Sequence, residues 1–128
     1  MRMLAIVLAI FHGANGLMML FAPDFWYASV PDVTETGPLN VHFVRDIGLA
    51  FLAAAVALAL FARDMTARVL VLPAAVFLGG HAGLHLVEMA THGTNAGDAA
   101  RDLALIVLPG LLPLIFLRSA PAGLAVRR

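Results

Sequence analysis

Asn40-Val41-His42-Phe43-Val44-Arg45-Asp46-Ile47-Gly48-Leu49-Ala50-Phe51-Leu52-Ala53-Ala54-Ala55-Val56-Ala57-Leu58-Ala59-Leu60-Phe61 decides how this chain folds. After Asp46 it carries no charge until Arg63. A hydrocarbon core about 30 Å thick is crossed by about 20 apolar residues in a helix, and this run has that length and composition. A strand is excluded, because lipid offers no partner to an open sheet edge. The run therefore reads as a membrane-spanning helix that begins with three ionisable side chains.

Three more runs of the same kind flank it. Residues 2–22, 40–61, 67–90 and 99–117 are the expected helices, separated by short links that make successive helices antiparallel neighbours. The expected fold is all-α: one transmembrane domain over residues 1–128, a four-helix bundle running up-down-up-down. The first run follows Arg2 like a signal peptide, but it is long, contains His12 and Asn15, and shows no small-x-small cleavage site before Pro23. It is expected to be a retained helix.

Composition agrees. Hydrophobic residues make up 62% of the 128 positions and charged ones 12%, too few to coat a water-soluble globule of this size. Eight acids balance eight arginines, so nothing points to nucleic acid, which needs a net basic surface. There is no cysteine, hence no disulfide, thiolate metal site or cysteine nucleophile. Ser29 and Ser119 are the only serines and have no evident base nearby, and no phosphate loop or dinucleotide fingerprint is present. No catalytic residue is assigned.

Arginine sets the orientation. With the N-terminus cytoplasmic, Arg2, Arg63, Arg68, Arg118, Arg127 and Arg128 fall on that side and only Arg45 and Arg101 on the other, so the positive-inside rule gives both termini in. The first outer loop, residues 23–39, holds Asp24, Asp32 and Glu35 with no base, and its Phe25-Trp26-Tyr27 run suits the interfacial aromatic belt.

Depth then concentrates the chemistry. His42, Arg45 and Asp46 occupy the outer turns of the second helix, while His81, His85 and Glu88 lie in the outer part of the third. Arg101 and Asp102 open the fourth, and His12 and Asn15 lie mid-way along the first. His42 and Asp46, His81 and His85, and His85 and Glu88 are spaced to share helix faces. Exposed to lipid at mid-helix, each charge costs about 2.5–3.5 kcal/mol or more, so these groups are expected to face one another.

Three ligands fit such a cluster. His81, His85, Glu88, His42 and Asp46 would suit a divalent or copper ion. His42 or His12 opposite His81 or His85 would suit a b-type haem. His42, Arg45, Asp46, Arg101 and Asp102 would suit a quinone or other polar-headed molecule, with an arginine polarising an oxygen. The competing account is a structural or accessory subunit of a larger membrane complex. There Arg45 with Asp102, Arg101 with Asp46 and a histidine with Glu88 only lock helices together. A third account, a carrier, would need a homodimer. His92 is expected in a solvated turn, Asp64 in the inner turn, and Met18 and Met19 as core filler.

Small residues four apart (Ala5, Ala9 and Gly13; Ala50 and Ala54; Gly79 and Gly83) are expected at close helix contacts. Pro73, Pro109 and Pro113 are expected to kink their helices. Gly13-Ala14-Asn15-Gly16-Leu17 matches Gly80-His81-Ala82-Gly83-Leu84, and Arg45-Asp46 matches Arg101-Asp102, as a duplicated two-helix unit would.

The stretch Thr36-Gly37-Pro38-Leu39-Asn40-Val41-His42-Phe43-Val44-Arg45-Asp46-Ile47-Gly48 resembles a signature of small four-span bacterial inner-membrane proteins of unknown function. In size and topology the chain is similar to the DoxX-like group of such proteins. The resemblance implies a bacterial plasma-membrane location and carries no activity with it.

Overall fold

A computed structural model describes residues 1–118, so Ser119, Arg127 and Arg128 lie outside the described residues. Among the described residues all regular structure is helical, joined by loops and turns, and there is no strand. Four helical runs are long and apolar enough to cross a membrane: Arg2–Phe21, Val41–Arg63, Arg68–His92 and Ala96–Arg118. The first is α1, and a short α2 (Pro23–Ser29) follows at once. The second is α3 (Val41–Arg63). The third enters through a 3-10 turn at Arg68–Leu70 and continues as α4 (Val71–His92). The fourth begins with α5 (Ala96–Asp102).

The ends of these helices follow from local chemistry. Asn40 caps α3 by accepting from the Phe43 N–H, and Asn95 caps α5 by accepting from Gly97 and Asp98. Gly93 breaks the chain between α4 and α5 at φ 75, a left-handed conformation open to glycine. His92 differs from expectation: it is the last residue of α4 and meets Thr91 Oγ1 at 3.0 Å, rather than lying in the turn. Between α3 and α4, Asp64 accepts from both the amide and the hydroxyl of Thr66. Those two donors hold its carboxyl below the usual carboxylate range.

Close contact between α1 and α3 depends on two glycines. A Cβ on Gly16 would lie 2.7 Å from the Gly48 carbonyl oxygen, and one on Gly48 would lie 2.9 Å from Met19 Cβ. A second crossing, between α4 and the fourth run, rests on Gly110, where a Cβ would stand 2.7 Å from the Leu78 oxygen. The expected rows fare unevenly. Ala5 and Ala54 are buried and Gly13 makes ordinary contact with Ala55, but Gly80 and Gly83 face open space and Gly79 only approaches Gly110. The core beneath these crossings is aliphatic and aromatic, with Leu58, Phe61, Val71 and Leu78 fully covered. Large apolar side chains such as Ile10, Leu17, Val56, Val76 and Leu84 point outward.

The prolines act differently from one another. Pro73 stands in the first turn of α4, where a missing N–H costs little, so it does not interrupt that helix. Pro109 and Pro113 do perturb the fourth run. Leu103–Val107 ahead of Pro109 is a π turn, in which the Leu108 N–H reaches back five residues to Leu103, and Leu112–Leu114 around Pro113 is 3-10.

Candidate functional site

The polar residues at the His42 and Arg101 ends of the helices do not form one cluster. They separate into three groups, each fixed by the element that carries it.

His42 and Asp46, one turn apart on α3, meet at 3.4 Å, with side chains 90% and 55% exposed. They point away from the helix packing. Arg45, between them, turns towards α1 and donates from Nε to the Leu20 carbonyl at 3.2 Å. Leu20 is in the last turn of α1, where carbonyls lack helical partners, so Arg45 serves as a side-chain cap from a neighbouring helix.

The second group is an aromatic column. His12 is buried and stacks on Phe51 with ring centroids 5.9 Å apart. Phe51 meets His81 edge-on at 5.8 Å, and Phe77 stacks on His81 at 6.4 Å. His81 and His85 are edge to face at 4.9 Å, as their i, i+4 spacing on α4 requires.

The third group is ionic. His85 Nδ1 lies 3.4 Å from Asp102 Oδ2. Arg101 pairs with Asp98 at 2.9 Å, with Asp102 at 3.4 Å, and with Asp32 from the loop before α3. Asp32 reaches it with φ 65, a left-handed conformation that aspartate adopts more readily than most residues. Nearby, Trp26 Nε1 donates to Asn15 Oδ1 at 3.0 Å and the Tyr27 hydroxyl donates to the Gly37 carbonyl at 2.6 Å, so the whole loop is tied down.

Set against expectation, the structure brings His81 and His85 together, and places Asp102 between His85 and Arg101. It leaves His42 and Asp46 on the surface, and Glu88 is exposed. The five proposed metal ligands therefore do not converge. Among the described residues, no three His, Asp or Glu side chains lie close enough together to hold a metal ion. A haem between His12 and His81 meets a packing obstacle, since the Phe51 ring contacts both imidazoles. The anticipated pairs of Arg45 with Asp102 and Arg101 with Asp46 are replaced by the Leu20 cap and by Asp32, Asp98 and Asp102. Arg45 and Arg101, matched in the sequence repeat, thus have unlike roles.

No family model, curated protein or solved structure matches the chain.

Asp98 and Asp32 are partners of Arg101 that the sequence expectations do not include. Asp98 precedes Arg101 by three residues on one helix, a spacing that could have identified it. Asp32 is separated from Arg101 by 69 positions, and no local spacing reports such a contact. Cavities among the described residues lie elsewhere. One, of about 490 Å³, is an apolar groove along the fourth run from Ala100 to Leu111, and another is at the opposite end of the helices.

Proposed function

We propose that the chain is an integral protein of the bacterial plasma membrane, a four-helix up-down-up-down bundle with both termini cytoplasmic, serving as a structural or accessory subunit. Its outer polar groups lock helices and loop together. The observation that carries this is the mutual satisfaction of Arg101, Asp32, Asp98, Asp102 and His85. Groups so engaged fix geometry and leave little to offer a ligand. Antiparallel contacts support the topology: Gly13 by Ala55 and Gly16 by Gly48 in one pair, Leu78 by Gly110 and His85 by Asp102 in the other. The outward Gly80 and Gly83 on α4 leave a face on which another helix could approach closely. Size and topology keep the likeness to the DoxX-like group within this reading.

Purification in mild detergent from a native membrane tests the subunit role. Co-migration with a larger assembly is expected, and a lone monomer or homodimer in every preparation would refute it. The lock has its own test. A double-mutant cycle of His85→Leu and Asp102→Leu, which removes each polar partner in turn, should give a coupling of about 0.6–1.7 kcal/mol in chemical denaturation, the range for interhelical hydrogen bonds in lipid. Additive effects would remove the lock.

A second reading, a small polar-headed molecule at His81, is favoured by one observation: His81 has aromatic neighbours but no hydrogen-bond partner among the described residues. Under the subunit reading His81→Phe keeps thermal stability and the purified protein carries no co-extracted small molecule. Loss of an extracted molecule on that substitution would favour the ligand.

A further inference from the structure

The arginine-bearing end of the molecule carries a second site with its own chemistry. Met1, Phe61, Met65, Arg68 and Phe116 line a cavity of about 120 Å³. These residues come from the start of α1, the end of α3, the following turn, the approach to α4 and the end of the fourth run, so all four long helices contribute. Phe61 and Phe116 form its apolar floor, packed with ring centroids 5.1 Å apart.

Charge at this end is one-sided. Arg2, Arg63, Arg68 and Arg118 all belong to these helix ends, and the single acid there, Asp64, is engaged by Thr66. Four guanidinium groups thus stand against one carboxylate, and among the described residues none of the four forms an ion pair. The contrast with Arg101 and its three carboxylates is sharp: that arginine is satisfied within the protein, and these are left for something outside it.

We propose that this cavity binds an anionic phospholipid, the phosphodiester resting on Arg68 and the first part of an acyl chain lying against Met1 and Met65 at the mouth, above the buried Phe61 and Phe116 rings. A guanidinium presents forked donors that suit phosphate oxygens. Basic pockets between membrane helices on the cytoplasmic side hold lipid headgroups in this manner. The apolar floor selects a molecule with an acyl chain over free phosphate, and the surplus of positive charge selects an anionic headgroup over a zwitterionic one. The inference rests on the membrane reading above but not on the subunit role.

Native mass spectrometry of the full chain in mild detergent, with phosphatidylglycerol and phosphatidylcholine of identical acyl chains, tests it. Phosphatidylglycerol should be retained about tenfold better, corresponding to one or two guanidinium contacts at a membrane surface. Arg68→Gln should reduce that retention to the phosphatidylcholine level, and Met65→Trp, which fills the cavity and keeps the charge, should lower retention of both lipids. Equal retention of the two lipids, or unchanged retention in Arg68→Gln, overturns the proposal. Displacement of the lipid by inorganic phosphate overturns it too, in favour of a simple anion site. Flotation with vesicles reports insertion separately, so a chain that inserts yet shows no lipid preference refutes this inference and leaves the membrane reading intact.

Discussion

Gly48→Leu should abolish the contact between α1 and α3 and destabilise the protein by about 3 kcal/mol or more. The reason is geometric. Even a Cβ at this position would lie 2.9 Å from Met19 Cβ, 3.0 Å from the Gly16 carbonyl oxygen and 3.2 Å from the Leu20 amide. Two of those three are backbone atoms, which cannot rotate aside as a flexible side chain can. The helices must separate, and separation removes the dispersion contacts that hold helices together where lipid supplies no hydrophobic drive. It also draws Leu20 away from Arg45, undoing the cap on α1.

Gly48→Ala should follow the same course at about 1–3 kcal/mol, less what alanine returns in helix propensity. Gly80→Ala is the control. It has nothing within 4 Å of the added carbon, so propensity alone should act, leaving stability unchanged or raised by up to about 1 kcal/mol. Reversible unfolding of the three variants in detergent micelles measures this. Equal losses at Gly48 and Gly80 would show that packing at the crossing does not hold the helices.

The crossing glycines are not marked by any local pattern in the chain. Helix existence was legible because each apolar run had the length and purity a membrane demands, and the caps at Asn40 and Asn95 are local chemistry. Close approach is not local. Gly16, Gly48 and Gly110 belong to no row of small residues four apart, whereas Gly79 and Gly83 do, yet the first three meet a neighbouring backbone and Gly83 meets nothing. Helix rotation decides this, and rotation depends on every contact at once.

The site was half legible for a similar reason. The pairs one turn apart, His42 with Asp46 and His81 with His85, were fixed by helical period. Whether two such pairs on different helices point at each other is again a matter of rotation. The structure turns the first pair outward and the second towards Asp102 and Phe51. The loop acid Asp32 was visible as an unbalanced charge but not as the partner of Arg101.

His12→Leu should cost about 1–2 kcal/mol, and the loss should depend on a proline in another helix. Pro113 has no N–H to give to the carbonyl of Pro109, four residues earlier in the fourth run. The Leu112 N–H is already used on Leu108. His12 Nε2 lies 3.4 Å from the Pro109 oxygen. A carbonyl can only accept, so the imidazole must carry its proton on Nε2 to make this bond. A buried histidine in α1 thus supplies the donor that the proline removes, as neighbouring helices do for broken backbone in lipid. Leucine fills similar space against Phe51 but leaves that carbonyl without a partner, and an unmet buried acceptor accounts for the expected cost. Pro113→Ala restores an N–H four residues after Pro109 and lets the 3-10 turn at Leu112–Leu114 relax towards an α-helix. In that background His12→Leu should cost about 1 kcal/mol less than in the native chain. The cycle distinguishes the role of a donor from that of a packed ring. If the two substitutions are additive, His12 stabilises the protein only by stacking on Phe51, and the proline-freed carbonyl is satisfied in some other way.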